Sequence, residues 1–294
     1  MKPELIQKIV DIRSRVVDCR ASGRTTGFVP TMGALHAGHA ALMERARRAC
    51  DVVIVSVFVN PIQFDRPDDY EKYSLNLQAD VAFCAARNVD LVFAPELKEM
   101  YPSPQHTYVE VPRVSDRLCG EYRPGHFRGV ATVVAKLFNI VPADAAYFGE
   151  KDAQQLAVIR RMVADLNIPI SIVAVPTVRE SDGLALSSRN QRLSPAERRV
   201  APLVFKALEA ARAKIAGGGR DAAEIKEASV ALLRAEPRIR IEYFEIVDAE
   251  EMQPVEQFQG PVRIAAAVWL GQTRLIDNVL IDNAPIDSVP ISTS

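Results

Sequence analysis

The sequence predicts an α/β fold in which a doubly wound, mostly parallel sheet is followed by a smaller α+β domain. In the first half of the chain, short continuous apolar runs rich in β-branched residues alternate with longer segments that carry charge on one face. This alternation is typical of buried parallel strands covered by helices. After Pro176, two helical segments precede two long strand-like stretches, which is the order of an α+β unit.

The first predicted domain covers residues 1–176, and its elements alternate. The predicted strands are 25–29, 52–59, 89–93, 107–111, 145–148 and 170–175. The predicted helices are 40–49, 75–87, 129–140 and 152–166. Asn167-Ile168-Pro169 ends the last of these helices, because proline cannot continue a helix.

The second predicted domain covers residues 177–294 and begins with a polar loop at 179–195. An alanine-rich helix at 196–216 stops at three consecutive glycines, and a second helix at 221–235 is capped by Asp221. Strands are predicted at 239–247 and 262–270, with 275–281 extending the same sheet.

Composition excludes several classes of protein. The chain has 294 residues, and its 36 basic and 37 acidic residues give a net charge of -1. This balance lacks the basic footprint of a nucleic-acid binder, so we expect no nucleic-acid partner. The longest apolar run, 52–59, is far shorter than the roughly 20 residues of a membrane helix. Charged residues near the N-terminus leave no apolar core for a signal peptide, so a cytoplasmic location is expected.

The four cysteines are distant in sequence and form no Cys-x-x-Cys pair. We expect reduced thiols that act as small hydrophobic side chains, rather than a zinc site or a disulfide framework.

The most informative segment is the loop between the first strong strand and the following helix. Ligands bind outside the carboxyl ends of strands in doubly wound sheets, where a helix N-terminus offers unpaired N–H groups to phosphate. Gly33 and Gly38 allow the backbone to approach an anion, although neither a Walker loop nor a Gly-x-Gly-x-x-Gly fingerprint is present. His36 and His39 are three residues apart and can donate hydrogen bonds into one site.

Two other interpretations of these histidines stay open. They could be polar residues that cap a turn. They could also bind zinc, for which His106, His126 or Cys50 would be a third ligand by elimination only.

The His-x-Gly-His string on a strand-loop-helix resembles the Rossmann-like nucleotidyltransferase superfamily. Within it, Pro-Thr-Met-Gly-Ala-Leu-His-Ala-Gly-His at 30–39 is similar to the signature of the pantothenate synthetase family. Four further segments resemble motifs of that family in the family order. They are 58–64 (FVNPIQF), 123–134 (RPGHFRGVATVV), 148–155 (FGEKDAQQ) and 182–190 (DGLALSSRN).

The resemblance implies an ATP-dependent reaction of two small molecules. ATP and (R)-pantoate would give pantoyl adenylate and pyrophosphate, and the amine of β-alanine would then displace AMP. The implied partners are therefore ATP, pantoate and β-alanine, together with Mg²⁺ held mostly by phosphate oxygens and water rather than by a protein metal site. A homodimer is expected from the resemblance alone.

The resemblance also assigns roles to residues. The catalytic group comprises His36, His39, Lys151 and Arg189, with His39 as the family's proton donor and Lys151 and Arg189 as cations for the phosphates. The expected ATP-binding residues are Met32, Gly33, Ala34, Leu35, His36, Ala37, Gly38, His39, Gly149, Glu150, Lys151, Asp152, Val178, Leu186, Ser187, Ser188 and Arg189. The expected substrate-binding residues are Asn60, Gln63 and Gln155.

Amides suit the pantoate site for a chemical reason. An arginine would bind the carboxylate tightly and hold its lone pairs, whereas a neutral amide orients the carboxylate and leaves it nucleophilic toward phosphorus.

Met32 and Phe64 are expected pocket walls. The segment 123–128 is either a flap over the acid or a dimer contact. Because an acyl adenylate hydrolyses, we expect the second domain to act as a lid, with 186–189 closing over the phosphates.

Departures from the family pattern are small: Leu186 replaces a common Met, Ala37 a longer polar residue and Ala153 an aromatic residue. The main alternative is another His-x-Gly-His nucleotidyltransferase that acts on a substrate phosphate. A nucleotide-sensing protein with a degenerate site is disfavoured, because His36, His39, Lys151 and Arg189 are all present.

Overall fold

The structure, a computed structural model, describes residues 2–64, 76–258 and 260–282. The chain divides into two compact units. The first compact unit comprises Met1–Pro112, Tyr122–Glu150 and Val158–Val178. The second compact unit comprises Arg113–Glu121, Lys151–Ala157 and Arg179–Ser294. The domain limits of 1–176 and 177–294 stay a prediction, since each compact unit consists of three separate segments of the chain.

A six-stranded sheet forms the centre of the first compact unit. Its strands are β1 (Glu4–Ile6), β2 (Thr26–Thr31), β3 (Val52–Val57), β4 (Leu91–Phe93), β5 (Ala145–Gly149) and β6 (Ser171–Val175). They lie in the order β1-β4-β3-β2-β5-β6, and every neighbouring pair is parallel. The order runs outward from β2 in both directions, which confirms the predicted doubly wound sheet.

Helices connect these strands. They are α1 (Ile9–Ala21), α2 (Ala37–Ala49), α3 (Leu77–Ala85), α4 (Leu97–Met100), α5 (Cys119–Tyr122), α6 (His126–Ile140) and α7 (Ala153–Asp165). Short 3-10 turns at Pro61–Gln63 and Glu150–Asp152 follow β3 and β5.

Continuous apolar strands become the core of the first compact unit because both faces of the sheet are covered. All six residues of β3 are buried. Val29, Val55 and Val92 from adjacent strands pack with Met43 of α2 in one apolar cluster. Burial of such side chains contributes roughly 1.5–3 kcal/mol each.

Within its described residues, the second compact unit contains an antiparallel sheet and three complete helices. Strands β7 (Ile239–Asp248), β8 (Val262–Leu270) and β9 (Thr273–Ile281) pair in chain order. Helices α8 (Pro195–Val200), α9 (Leu203–Ala216) and α10 (Ala222–Arg234) precede the sheet. Their core includes Leu208, Leu233 and Phe244. The predicted α+β character is confirmed.

The structure differs from the predicted elements in several places. Segment 107–111 is not a strand, and β1, α1, α4 and α5 were not predicted. The predicted helix 196–216 is two helices, because Pro202 lacks the N–H that would continue α8 into α9. Residue 75 of the predicted helix 75–87 lies outside the described residues, and α3 ends at Ala85.

Among the described residues, none of the helices combines the length and the apolar character that crossing a membrane requires.

Candidate active site

The loop after β2 carries the predicted histidines, and a buried carboxylate holds it. Gly33 and Ala34 both adopt the left-handed conformation, with φ of 82° and 51°. Asp80 on α3 is 4% exposed, and its two oxygens accept hydrogen bonds from the N–H groups of Ala34 at 3.1 Å and Leu35 at 2.9 Å. Since the left-handed conformation is costly for alanine, these two bonds stabilise the turn that presents the histidines.

Both imidazoles are oriented by backbone donors. His36 caps α2, and its Nδ1 atom accepts from the N–H of Gly38 at 3.1 Å. The Nδ1 atom of His39 accepts from the N–H of His36 at 3.2 Å. A backbone N–H can only donate, so each neutral ring carries its proton on Nε2. The capping interpretation thus accounts for the Nδ1 atoms, while the Nε2–H groups are suited to phosphate oxygens.

Gly38 is required by this arrangement. A Cβ atom at this position would lie 2.9 Å from Cε1 and 3.0 Å from Nδ1 of His36. Any side chain would therefore push the His36 ring out of its capping position.

The loop after β3 presents the predicted amides. Asn60 is 1% exposed, and its Nδ2 atom donates to Oε1 of Gln63 and to the carbonyl oxygen of Gly129, both at 3.1 Å. The Nε2 atom of Gln63 donates to the thioether sulfur of Met32 at 3.0 Å. The structure thus brings Asn60, Gln63 and Met32 together, as the substrate-site prediction requires.

Helix α6 fixes the backbone of this loop. A Cβ atom on Gly129 would lie 2.4 Å from the carbonyl oxygen of Ile62 and 2.5 Å from Cα of Gln63. Only glycine permits this approach. His126 at the start of α6 makes a 2.9 Å hydrogen bond from Nδ1 to the carbonyl oxygen of Gln63, and its Nε2 atom lies 3.2 Å from Arg123. Two residues of the segment 123–128 therefore hold the backbone at Gln63.

In the second compact unit, one pocket brings together the two cations predicted to bind the phosphates. Its lining includes Lys151, Ser187 and Arg189, together with Arg274 and Asp277 of β9. The Lys151 side chain is 20% exposed, and its Nζ atom lies 3.9 Å from Asp152. Two cations beside a hydroxyl group form an electrostatic environment suited to phosphate oxygens.

Strand β9 holds the backbone of Lys151. Nδ2 of Asn278 donates to the Lys151 carbonyl oxygen at 3.0 Å. Next to it, Arg179 forms a two-pronged pair with Asp277, at 2.6 and 2.9 Å. Because Asp277 neutralises Arg179 there, Lys151 and Arg189 are the better candidates for the phosphates.

The segment 182–190 is held at its base. Arg198 on α8 binds Asp182 and Glu180, each at 2.6 Å. This hydrogen bond with Arg198 lowers the pKa of Asp182, so the carboxylate stays charged near neutral pH. At the other end, the Ser187 hydroxyl accepts from the N–H of Arg189 at 3.2 Å and begins the 3-10 turn Ser188–Arg192.

Adjacent glutamines on α7 have different roles. Gln154 is 5% exposed and binds the backbone of Val114, Arg117 and Cys119. Gln155 is half-buried, and its side chain makes no hydrogen bond within the part of the chain that the structure describes. Of these two glutamines, Gln155, the predicted substrate residue, therefore has the side-chain amide that is available to bind a ligand.

The remaining predicted residues lie at element ends. Gly149 ends β5, and Glu150–Asp152 form the turn that follows. Val178 is half-buried after β6, and Leu186 and Ser188 are half-buried beside Ser187. Ala37 and Gly38 open α2.

Within residues 2–64, 76–258 and 260–282, no group of three or more His, Cys, Asp or Glu side chains is arranged to hold a metal ion.

Sequence reasoning missed two residues, Asp80 and Tyr101. Tyr101 donates from its hydroxyl to Oδ1 of Asn60 at 2.8 Å, and Asp80 holds the histidine loop as described. Neither lies in a motif, and each reaches the site through tertiary packing from a distant segment. Asp80 lies in the first turn of α3, where an aspartate is common, so nothing in the sequence marks it as a site residue.

Comparisons with known proteins show the family of this chain. The family model described as pantoate-beta-alanine ligase matches residues 4–280. The chain belongs to the pantoate-beta-alanine ligase family. A pantothenate synthetase from Heliobacterium modesticaldum is 53% identical over 276 residues, which are 94% of this chain and 98% of the relative.

Two solved structures of the family are similar to the whole fold. The crystal structure of pantothenate synthetase from Thermus thermophilus has a TM-score of 0.88 at 46% identity, covering 94% of this chain and 98% of its own. The pantoate-beta-alanine ligase from Francisella tularensis, complexed with beta-gamma ATP and beta-alanine, has a TM-score of 0.77 at 34% identity. It covers 95% of this chain and 97% of its own.

Proposed function

We propose that this ligase joins (R)-pantoate to β-alanine at the expense of ATP, releasing AMP and pyrophosphate. The observation that carries the proposal is the loop 32–39 at the carboxyl end of β2, where backbone hydrogen bonds orient both imidazoles as Nε2–H donors. Family membership over residues 4–280 supplies the reaction.

In the first step, a carboxylate oxygen of pantoate attacks the α-phosphorus of ATP, and pyrophosphate leaves. His36 and His39 donate from Nε2 to phosphate oxygens, with His39 as the proton donor. Lys151 and Arg189 neutralise the charge that develops on the leaving phosphates. Donors that are fixed before the reaction are effective because they need no reorganisation when charge moves.

In the second step, the amine of β-alanine attacks the acyl carbon of pantoyl adenylate, AMP leaves, and the nitrogen loses a proton. Gln63 and Gln155 orient the pantoate as neutral hydrogen-bond donors, and Met32 and Phe64 cover its apolar body. The amide of Gln63 is suited to this role because a thioether, a weak acceptor, is the partner of its Nε2 atom.

Mg²⁺ is part of the proposal as a partner of ATP, and its chemistry is to neutralise phosphate oxygens. Asp152, whose carboxylate lies 3.9 Å from Nζ of Lys151, is a candidate to bind it through water. A homodimer, a cytoplasmic location and a lid role for residues 177–294 are also proposed from the resemblance.

The test is to incubate the enzyme with ATP, Mg²⁺, pantoate and β-alanine and to identify the nucleotide products. AMP and pyrophosphate that depend on both organic substrates are expected, and pantoate should support pyrophosphate exchange into ATP without β-alanine. ADP and phosphate would instead indicate an acyl-phosphate ligase. A nucleotidyltransferase that acts on a substrate phosphate would give a stable nucleotide product without needing an amine.

A further inference from the structure

Three polar side chains form a hydrogen-bonded chain beside the loop after β3, in which Asn60 and Gln63 are buried and Tyr101 is half-buried. The Tyr101 hydroxyl lies 2.8 Å from Oδ1 of Asn60, and Nδ2 of Asn60 lies 3.1 Å from Oε1 of Gln63. The same Nδ2 atom lies 3.1 Å from the carbonyl oxygen of Gly129. All four residues belong to the first compact unit.

The Gly129 carbonyl identifies the direction of every bond in this chain. A backbone carbonyl only accepts, so the amide nitrogen of Asn60 must face it, and Oδ1 must face Tyr101. Tyr101 then has to donate. Burial raises the pKa of Tyr101, so its hydroxyl keeps the proton at any physiological pH.

The direction continues to Gln63. Both N–H bonds of the Asn60 amide are engaged, one by Gly129 and one by Oε1 of Gln63. A rotated Gln63 amide would place its own NH₂ group against that of Asn60 and leave buried donors without acceptors, which is unfavourable. Oε1 of Gln63 therefore faces Asn60, and Nε2 faces Met32.

We propose that Tyr101 is a positioning residue which, through Asn60, fixes the Gln63 amide so that it presents N–H rather than oxygen to the pantoate carboxylate. The inference rests on the proposed function for the identity of the ligand. The orientation itself follows from the contacts of Tyr101, Asn60 and Gly129. A carboxylate needs a donor, and an amide turned the other way would repel it.

The ring of Tyr101 is fixed independently of its hydroxyl. Nζ of Lys136 on α6 lies 4.9 Å from the ring centroid, and Phe58 packs against the ring at 6.2 Å between centroids. Replacement of Tyr101 by phenylalanine keeps both contacts and removes only the donor. The chain also offers a matched control, because Arg128 lies 4.9 Å from the ring centroid of Tyr108, whose hydroxyl binds the carbonyl oxygen of Gln105.

The experiment compares Tyr101→Phe with Tyr108→Phe and measures KM for pantoate and for ATP separately. Loss of the Tyr101 hydroxyl should raise the pantoate KM roughly tenfold, the scale of one lost orienting hydrogen bond, with the ATP KM within twofold. Tyr108→Phe should change neither constant. A pantoate KM within twofold of wild type in Tyr101→Phe, or an equal rise in both constants, would overturn the positioning role.

Gln63→Ala separates failure of this inference from failure of the proposed function. If Gln63→Ala raises the pantoate KM and Tyr101→Phe does not, the hydrogen-bond chain is wrong and the substrate role of Gln63 stands. If Gln63→Ala leaves the pantoate KM unchanged, the proposed role of Gln63 is wrong and the inference fails with it.

A second readout does not depend on activity. In ¹⁵N-labelled protein, the side-chain amide signal of Gln63 is identified by its loss in Gln63→Ala. Its hydrogen exchange should accelerate at least severalfold in Tyr101→Phe and stay unchanged in Tyr108→Phe, since only the first variant removes a hydrogen bond of the Asn60 side chain. Equal exchange in the wild type and Tyr101→Phe would contradict the orientation mechanism.

Discussion

At the scale of the residue, the chemistry depends on groups whose direction is fixed before a substrate arrives. His36 and His39 are oriented through Nδ1 by two backbone N–H groups, and Lys151 is anchored through its carbonyl oxygen by Asn278. In each case the atom that would face ATP differs from the atom that anchors the residue. Replacement of Lys151 by alanine therefore keeps its backbone anchor. Replacement of either histidine removes Nδ1 together with Nε2, so it also frees the backbone N–H that the ring holds.

We predict that His39→Ala and Lys151→Ala each lower the rate of adenylate formation at least about a hundredfold, the typical cost of one preoriented donor. Pantoate-dependent exchange of pyrophosphate into ATP measures this step. His106→Ala and Lys98→Ala are the controls, because both side chains are exposed. Near-normal exchange in either site variant would reject that residue as a catalytic group.

The two glutamines of α7 give a second prediction. Gln154→Ala leaves the N–H of Cys119 and the carbonyl groups of Val114 and Arg117 without their partner, so the free energy of unfolding should fall by roughly 3 kcal/mol. Gln155→Ala should change that free energy by less than about 0.5 kcal/mol and raise the pantoate KM.

Urea denaturation and steady-state kinetics distinguish the two variants. The opposite pattern, with Gln155→Ala unstable and Gln154→Ala impaired only in pantoate binding, would exchange the roles assigned to them.

At the scale of the element, the histidine loop depends on helix α3. Asp80→Asn keeps one oxygen and turns an NH₂ group toward a backbone N–H, so one of the bonds to Ala34 and Leu35 is lost. We expect the ATP KM to rise about tenfold, because one charge-assisted bond contributes roughly 1.5–3 kcal/mol to holding the loop. Amide hydrogen exchange at Ala34 and Leu35 should accelerate in parallel.

Asp51→Asn is the matched control for this prediction. Asp51 also accepts from a backbone N–H, that of Thr25, but it does so at the amino end of β2, away from the histidine loop. It should leave the ATP KM unchanged even if it lowers stability. An ATP KM unaffected by Asp80→Asn would show that the loop holds its shape without α3.

The sequence predicted those elements whose burial is uniform. The apolar run in β3 and the whole of β8 were predicted within two residues of their ends, because nearly every side chain in them is buried. Strand β1 has only three residues, which is too short for a periodic pattern. In α1, Ile12, Val16 and Cys19 recur at helical spacing, but the exposed Val10 and Val17 weaken the contrast between an apolar and a charged face.

Segment 107–111 illustrates why local pattern is not sufficient. Its β-branched and aromatic residues favour a strand, yet the N–H of Val109 donates to the hydroxyl of Thr132 on α6 at 2.9 Å. A helix side chain takes the place of a strand partner. The motif residues could be predicted because motifs are local, whereas Asp80 and Tyr101 act across the fold and carry no local signal.

At the scale of the whole molecule, the four cysteines report on the integrity of the fold. Cys19, Cys84 and Cys119 are buried, Cys50 is half-buried, and all four are thiols rather than disulfides. Burial raises the pKa of Cys84 to about 12 and also raises the pKa of Cys19. Thiolate, the reactive form, is therefore scarce at both residues in the native protein.

We predict that a thiol reagent at pH 8 modifies Cys19 and Cys84 of the native protein slowly and titrates four thiols once denaturant is added without a reductant. Because these two residues lose their thiol protons near the ordinary pKa of about 8.5 in the unfolded chain and retain them in the folded chain, stability should also decrease as the pH rises above that value. Fewer than four thiols in denaturant, or rapid native labelling of Cys84, would contradict the buried, reduced state.

The interrupted course of the chain through the two compact units has an evolutionary consequence. Five peptide bonds connect the units, after residues 112, 121, 150, 157 and 178. A single recombination crossover after residue 178 would separate Arg113–Glu121 and Lys151–Ala157 from the rest of their unit, including Asn278, which anchors Lys151. The phosphate pocket could then be inherited intact only together with the first compact unit. The two compact units therefore have to descend together and cannot be exchanged as separate modules.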